Sequence, residues 1–274
     1  MLSTIEFHPA LKENLSLLSF EKATEVQEQA IPPLLEGKDL LISAATGTGK
    51  TLAYLLPILQ SLVGSTSPKG QPRVLILVPV RELAEQLLVQ CEKLSAGLNL
   101  SAASLVGGQD FKVQERALSQ ADIVIATPGR LVPHLENESV SLQSLDVLVM
   151  DEADRMLETG FKESLGRIMQ GCPDIHQTVL VSATLPNKVR QLAEQVLQEP
   201  VSVRVGHHRE EHENIKQSIL LSDDVAHKDK QLCWLLQNEK FDKAVVFTNS
   251  KTLAKRLDGY LRYHKLRVAL LHGD

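Results

Sequence analysis

Aromatic residues supply only 4% of the 274-residue chain, with one tryptophan, three tyrosines and six phenylalanines. Any sizeable core must therefore be aliphatic, as where parallel strands are covered by helices on both faces. Cysteine is sparse as well. Cys91, Cys172 and Cys233 are odd in number, far apart and without Cys-x-x-Cys spacing, which speaks against a disulfide framework or a cysteine zinc site and fits reduced thiols. Long apolar runs are missing: the longest, Leu52 to Leu59, contains Pro57 and is far too short to span a bilayer. Met1-Leu2-Ser3-Thr4-Ile5-Glu6 has neither the basic start nor the apolar stretch of a secretory leader. Nor is there an excess of positive charge. A net charge of −5 argues against coating nucleic acid by bulk attraction, while leaving room for a local strip of phosphate contacts. With 43% hydrophobic and 23% charged residues, the expectation is a soluble, cytoplasmic protein with a real core and no membrane association.

Short β-like runs are present in quantity: Asp39–Ser43, Arg73–Pro79, Leu100–Val106, Asp122–Ala126, Leu145–Met150, Thr178–Ser182 and Val201–Val205 alternate with helix-length segments. This order predicts an α/β fold, a parallel sheet with right-handed crossovers and helices on both faces. Ligands of such sheets sit at the carboxyl ends of the strands. Residues 64–72 form a polar, breaker-rich loop inside this first domain, 1–205. A charged stretch without apolar period, 206–214, reads as a linker. Beyond it, 215–274 is predicted as a second β-α-β-α-β segment, with strands at Ile219–Leu221, Ala244–Thr248 and Val268–Leu271 and helices near Lys228–Leu236 and Thr252–Tyr263.

Two strand ends carry chemistry. After Leu40-Leu41-Ile42 comes Ala44-Ala45-Thr46-Gly47-Thr48-Gly49-Lys50-Thr51, and after Val147-Leu148-Val149-Met150 comes Asp151-Glu152-Ala153-Asp154. A glycine-rich turn can aim consecutive backbone N–H groups at phosphate oxygens, Lys50 adds a positive charge, and the Thr51 hydroxyl can ligate Mg²⁺. Carboxylates at the end of a buried strand supply the other side of that metal. Each half also has a plainer reading, as a strand-to-helix corner and as an acidic helix N-terminus. Ala44 stands where the strict P-loop pattern has its first glycine.

Together with the other strand-end motifs, these residues resemble the DEAD-box RNA helicases, of bacterial type. Phe20 to Gln27 is similar to the family's adenine-reading Q motif, with Ser19 and Ala23 in place of its usual Gly and Pro. Ala44 to Thr51 resembles motif I, in which alanine at the first position is usual. Pro79-Val80-Arg81-Glu82-Leu83-Ala84, Gly107-Gly108 and Thr127-Pro128-Gly129-Arg130 resemble the RNA-side signatures, with Val80 replacing a threonine. Asp151 to Asp154 is similar to the naming motif and Ser182-Ala183-Thr184 to motif III. The resemblance implies a RecA-like fold and ATP and Mg²⁺ as cofactors. It implies nucleotide contacts from Phe20, Thr24, Gln27, Ala45, Thr46, Gly47, Thr48, Gly49, Lys50 and Thr51, with Gln27 reading the adenine edge. Phe20 either packs near the base or belongs to the core. Lys50, Asp151 and Glu152 are the implied catalytic residues: Lys50 contacts the β- and γ-phosphates, Thr51 and Asp151 hold the metal, and Glu152 orients or deprotonates the attacking water. Pro79, Arg81, Gly107, Gly108, Thr127, Pro128, Gly129 and Arg130 would bind RNA through its backbone, with little sequence specificity. Asp154, Ser182 and Thr184 would couple the two sites.

In that family a second RecA-like domain donates arginines from Arg-Gly-x-Asp and His-Arg-x-Gly-Arg-x-Gly-Arg segments. Neither segment occurs here, and Val246 to Ser250 and Leu271 to Asp274 resemble only the early motifs of that domain. The expectation is a helicase cut within its second lobe. Three readings follow: an ATP-dependent RNA helicase or remodelling ATPase, an ATP- and RNA-binding fragment with little turnover, and a DNA translocase of the wider superfamily. Partners by resemblance are RNA and proteins of ribosome assembly or RNA decay. His208-Arg209-Glu210-Glu211-His212 fits a zinc-peptidase pattern but sits in the predicted linker without a third ligand, so no metal site is assigned to it.

Overall fold

Seven apolar runs become seven strands. The computed structural model describes residues 6–18, 20, 22–64, 67–206 and 215–272, and the chain divides into two units, Met1–Glu210 and Glu211–Asp274. In the first unit the strands are β1 (Leu40–Ala44), β2 (Val74–Leu77), β3 (Ala102–Leu105), β4 (Ile123–Ala126), β5 (Val147–Met150), β6 (Gln177–Ser182) and β7 (Val201–Val205). They form one sheet in the order β3-β4-β2-β5-β6-β1-β7, and every pairing is parallel. The register is set at the centre, where Val74 lies opposite Ile123 on one side and Val147 on the other.

Helices α1 (Pro9–Leu17) and α2 (Glu25–Leu35) precede the sheet. The crossovers carry α3 (Lys50–Leu62), α4 (Arg81–Leu94), α5 (Phe111–Leu118), α6 (Pro128–Glu136), α7 (Ala153–Glu158), α8 (Lys162–Gly171) and α9 (Asn187–Val196). Because successive side chains of a strand point to opposite faces, each central strand feeds two cores. Val74, Ile76, Val147 and Val149 join Leu11, Ile31, Leu55 and Leu59 on one face. Leu75, Leu77, Leu148 and Met150 join Leu131, Met156 and Ile168 on the other. No helix among the described residues is long and apolar enough to cross a membrane.

Asp39 ties the start of β1 to β6 and to the segment that leads into β7. Its buried carboxylate precedes β1, and it accepts hydrogen bonds from the Thr178 amide through Oδ1 and the Gln198 amide through Oδ2, each at 2.7 Å. Asp39→Ala would leave both amides without a charged acceptor and is expected to lower stability by about 3 kcal/mol. A urea melt followed by circular dichroism checks this; an unchanged midpoint would mean that the amides find other partners.

The second unit departs from the sequence expectation. It contains α10 (Val225–Asn238) and α11 (Lys251–Tyr263), capped by the Asp224 and Ser250 side chains. Asp229 of α10 and Arg256 of α11 form a two-pronged ion pair. The predicted strands Ile219–Leu221, Ala244–Thr248 and Val268–Leu271 form no ladder among the described residues. Apolar, β-branched composition gives a preference, but a parallel strand exists only through its neighbours and the layers that cover it. Here Ile219, Phe247 and Leu271 are 89%, 91% and 94% exposed. Of the predicted linker 206–214 only Gly206, exposed and at φ +81°, is described; 207–214, with the His208–His212 pattern, lie outside the described residues.

Candidate nucleotide and nucleic-acid site

The glycine-rich loop leaves β1 at buried Ala44 and continues through the exposed residues Ala45, Thr46 and Gly47. Gly47 (φ +82°) and Gly49 (φ +91°) are both in the left-handed region, which favours glycine. Gly49 has a second reason to lack a side chain. A Cβ there would lie 2.5 Å from Gln27 Nε2 and 3.0 Å from Thr24 Oγ1. Thr48 Oγ1 donates to the Ala45 carbonyl at 2.8 Å, which fixes the turn. Lys50 opens α3 with its ammonium folded back on the Ala44 and Ala45 carbonyls at 2.5 and 3.3 Å. Burial lowers its pKa, and the charges of Asp151, Glu152 and Asp154 oppose that shift. A cation at the end of a glycine turn, within the electrostatic reach of three carboxylates, is an arrangement that suits a metal–triphosphate complex.

Asp151 follows β5, with both carboxylate oxygens engaged. Oδ2 accepts from the Tyr54 hydroxyl at 2.8 Å and Oδ1 from the Glu152 amide at 2.9 Å. Burial raises the Asp151 pKa, against the Tyr54 hydrogen bond and the Lys50 charge. Tyr54 is fully buried on α3 one turn beyond Lys50, and its hydroxyl also adjoins the Thr51 side chain. Sequence reading missed it. The available signal was a phenol at i+4 from Lys50, on the same face of an otherwise aliphatic helix. Glu152 takes φ +52°, an uncommon conformation for a residue with a side chain. Its carboxylate lies 3.9 Å from Arg155 Nη1.

Asp154 links β5 to β6. Its Oδ2 accepts from Thr184 N at 3.0 Å and Thr184 Oγ1 at 2.7 Å, while its own amide donates to Ser182 Oγ at 3.3 Å. Ser182 Oγ in turn donates to the Thr184 carbonyl at 2.7 Å. Burial pushes the Asp154 carboxyl up, but the hydrogen bonds from Thr184, Ser182 and Arg155 outweigh it and hold the pKa below the usual value. The three residues singled out as a coupling set are thus in direct contact.

The Q-motif residues pack on the phosphate loop. Gln27 Nε2 donates to the Gly49 carbonyl at 3.1 Å, and its Oε1 accepts from the Thr24 amide at 3.0 Å. Each end of the amide thus has one backbone partner, because Gln27 is the third residue of α2 and reaches back to its N-cap, and each end keeps a second N–H or lone pair. Phe20 is half-buried against the first core cluster.

The residues expected from the sequence to contact RNA follow the carboxyl ends of β2, β3 and β4. Pro79 is buried, and exposed Arg81 pairs with Glu85 at 2.7 Å. Gly107 and Gly108 are exposed after β3; a Cβ on Gly108 (φ +80°) would lie 3.3 Å from Arg81 Nη1. Thr127 caps α6 and its amide donates to the Leu105 carbonyl at 3.0 Å, followed by Pro128 at the first helical position and exposed Gly129. Arg130 is half-buried and held by Gln109 and Gln114, two residues that sequence reading did not select.

Residues 24–192 match the family model described as DEAD/DEAH box helicase. The chain belongs to that family. Among DEAD/DEAH box helicases it is 37% identical to the ATP-dependent RNA helicase SrmB of Escherichia coli (strain K12), over 99% of this chain and 62% of that protein. It is 39% identical to the probable ATP-dependent RNA helicase ddx27 of Dictyostelium discoideum, over 97% of this chain and 34% of that protein. The crystal structure of a DEAD box protein from the hyperthermophile Methanococcus jannaschii superimposes with a TM-score of 0.71 at 30% identity, covering 98% of this chain and 72% of that one. The chain thus spans 34% to 62% of these two curated relatives. In this DEAD/DEAH box helicase chain the seven-stranded parallel sheet places 44–51 after β1, 151–154 after β5 and 182–184 at the end of β6.

Proposed function

We propose that this chain is the ATP- and RNA-binding part of an ATP-dependent RNA helicase or RNA-remodelling ATPase. The observation that carries the reading is the electrostatic meeting of Lys50, after β1, with Asp151, Glu152 and Asp154, after β5, on either side of β6, with Asp154 tied to Ser182 and Thr184 at the end of β6. Thr51, Asp151 and Glu152 offer oxygen donors only, the chemistry that suits Mg²⁺, and Thr51 and Asp151 adjoin the same Tyr54 phenol. Bound there, Mg²⁺ would neutralise charge on the β- and γ-phosphates. Lys50 would leave the Ala44 and Ala45 carbonyls for those phosphates, and the glycine turn would bring backbone N–H groups to them. Glu152 would orient and accept a proton from water. Pro79 to Arg81, Gly107-Gly108 and Thr127 to Arg130 would take the RNA backbone, and the Asp154–Thr184 contact would transmit occupancy of one site to the other. In this reading, 215–274 is part of a second RecA-like lobe.

The 274 residues contain no Arg-Gly-x-Asp segment, and arginines supplied at closure are worth about 10³ to 10⁵ in rate in phosphoryl-transfer systems where they have been measured. This favours the second reading for the chain by itself: it is expected to bind ATP, hydrolyse it barely and respond little to RNA. Fluorescent-ATP binding and steady-state hydrolysis, with single-stranded RNA and DNA compared, test this. Strong turnover stimulated by RNA would overturn the low-activity reading, and a preference for DNA would overturn RNA as the partner.

A further inference from the structure

Gln114, on α5, is 2% exposed and makes four hydrogen bonds with its amide. Its Nε2 donates to the Val106 carbonyl at 3.0 Å and to Gln109 Oε1 at 3.1 Å. Its Oε1 accepts from Arg130 Nε at 2.6 Å and lies 3.2 Å from His134 Nε2. An oxygen that can only accept requires His134 to donate from Nε2, so the amide and the imidazole each have one consistent orientation. Arg130 is fixed from two further sides. Its Nη2 donates to the Gln109 carbonyl at 2.8 Å, and its Cζ lies 5.1 Å from the centre of the Phe111 ring. His134 stacks on that ring at 3.8 Å and 6°. Such a network removes most of the freedom of a long side chain, whose immobilisation otherwise opposes binding. It also spends Nε and one edge of the guanidinium, leaving Nη1 as the end available to a ligand.

We propose that Gln114 is a positioning residue for RNA binding: as the shared acceptor of Arg130 and His134, anchored to the loop after β3, it aims the Arg130 guanidinium at a backbone phosphate. The inference rests on reading Arg130 as an RNA contact. It joins two strand-end loops, after β3 and after β4, into one pre-formed surface without Gln114 itself touching RNA.

The test is a double-mutant cycle on the full chain with Gln114→Met, Arg130→Ala and the pair, read by anisotropy of a labelled decauridine across a KCl series. Arg130→Ala is expected to weaken binding and to reduce the slope of log affinity against log salt by about 0.7, the loss of one single-strand phosphate contact. Gln114→Met should weaken binding about fivefold and lower the same slope, with affinity for a fluorescent ATP analogue unchanged. The pair should match Arg130→Ala alone. Additive losses, or weaker binding at an unchanged slope, would make Gln114 a structural residue and overturn the inference. An Arg130→Ala chain that binds RNA as the native one does would remove the Arg130 assignment and this inference with it; an effect of Arg130→Ala without one of Gln114→Met removes the inference alone. If Gln114→Met does not fold, Gln114→Glu keeps size and acceptor but pairs Arg130 with a charge. It should lower the salt slope by about 0.7, and a native slope would count against the proposal.

Discussion

Lys50→Ala is expected to lower affinity for Mg²⁺-ATP by at least about 100-fold, equivalent to roughly 2.7 kcal/mol. Two effects act in the same direction. The substitution deletes the cation of the phosphate loop, and it leaves Asp151, Glu152 and Asp154 without the charge that now faces them, so that three carboxylates confront an anionic ligand. Truncating one partner of a desolvated charge pair costs about 2 to 5 kcal/mol, which sets the size of the loss. Titration of the purified variant with a fluorescent ATP analogue measures it, alongside a thermal melt to show that the sheet is intact. Native-like affinity would end the assignment of this loop to phosphate.

Gly49→Ala is expected to damage the same loop by a different route. Alanine at φ +91° carries a backbone cost of about 1 to 2 kcal/mol. Its Cβ would also displace Gln27 Nε2 from 2.5 Å and so break the bond to the Gly49 carbonyl. Together we expect about 2 to 3 kcal/mol of destabilisation and an ATP affinity lowered more than about tenfold, since the loop can no longer present its amides in one arrangement. The pair Gly49→Ala with Gln27→Ala separates the causes. The nearest clash is then removed while φ and the 3.0 Å approach of Thr24 Oγ1 remain, so the double variant should recover only part of the stability. Full recovery would show that the left-handed conformation costs nothing here.

These contacts bear on what a sequence can disclose. The sheet was legible because buried parallel strands are continuous apolar runs, and strand boundaries shifted by at most two residues. Leu100 and Pro79 fall outside β3 and β2, as Leu145 does outside β5 although it is 2% exposed. Lys50, Asp151 and Asp154 were legible because local spacing carries their chemistry. Tyr54 and Gln114 were not: a tyrosine in an aliphatic helix reads as core, and its partner Asp151 is 97 residues away. Gln27 was found by motif, but its engagement with Gly49, 22 residues on, depends on how α2 packs over the loop. The strands expected after residue 215 failed for the converse reason, since composition alone cannot supply neighbours.

The strand order also dictates a sequence of events during synthesis. β1, which carries the phosphate loop, pairs only with β6 and β7. A growing chain therefore makes Leu40–Ala44 early and holds it without a sheet partner until Gln177–Ser182 and Val201–Val205 have left the ribosome. β2, β4 and β5 can assemble before then, since their mutual pairings need nothing later than Met150. The strand that leads into the glycine-rich loop, encoded first, is the last of the seven whose partners are all made. A pause or a chain break between Met150 and Gln177 would leave a half-sheet whose edge is β5, with the loop meant to hold phosphate still unmoored.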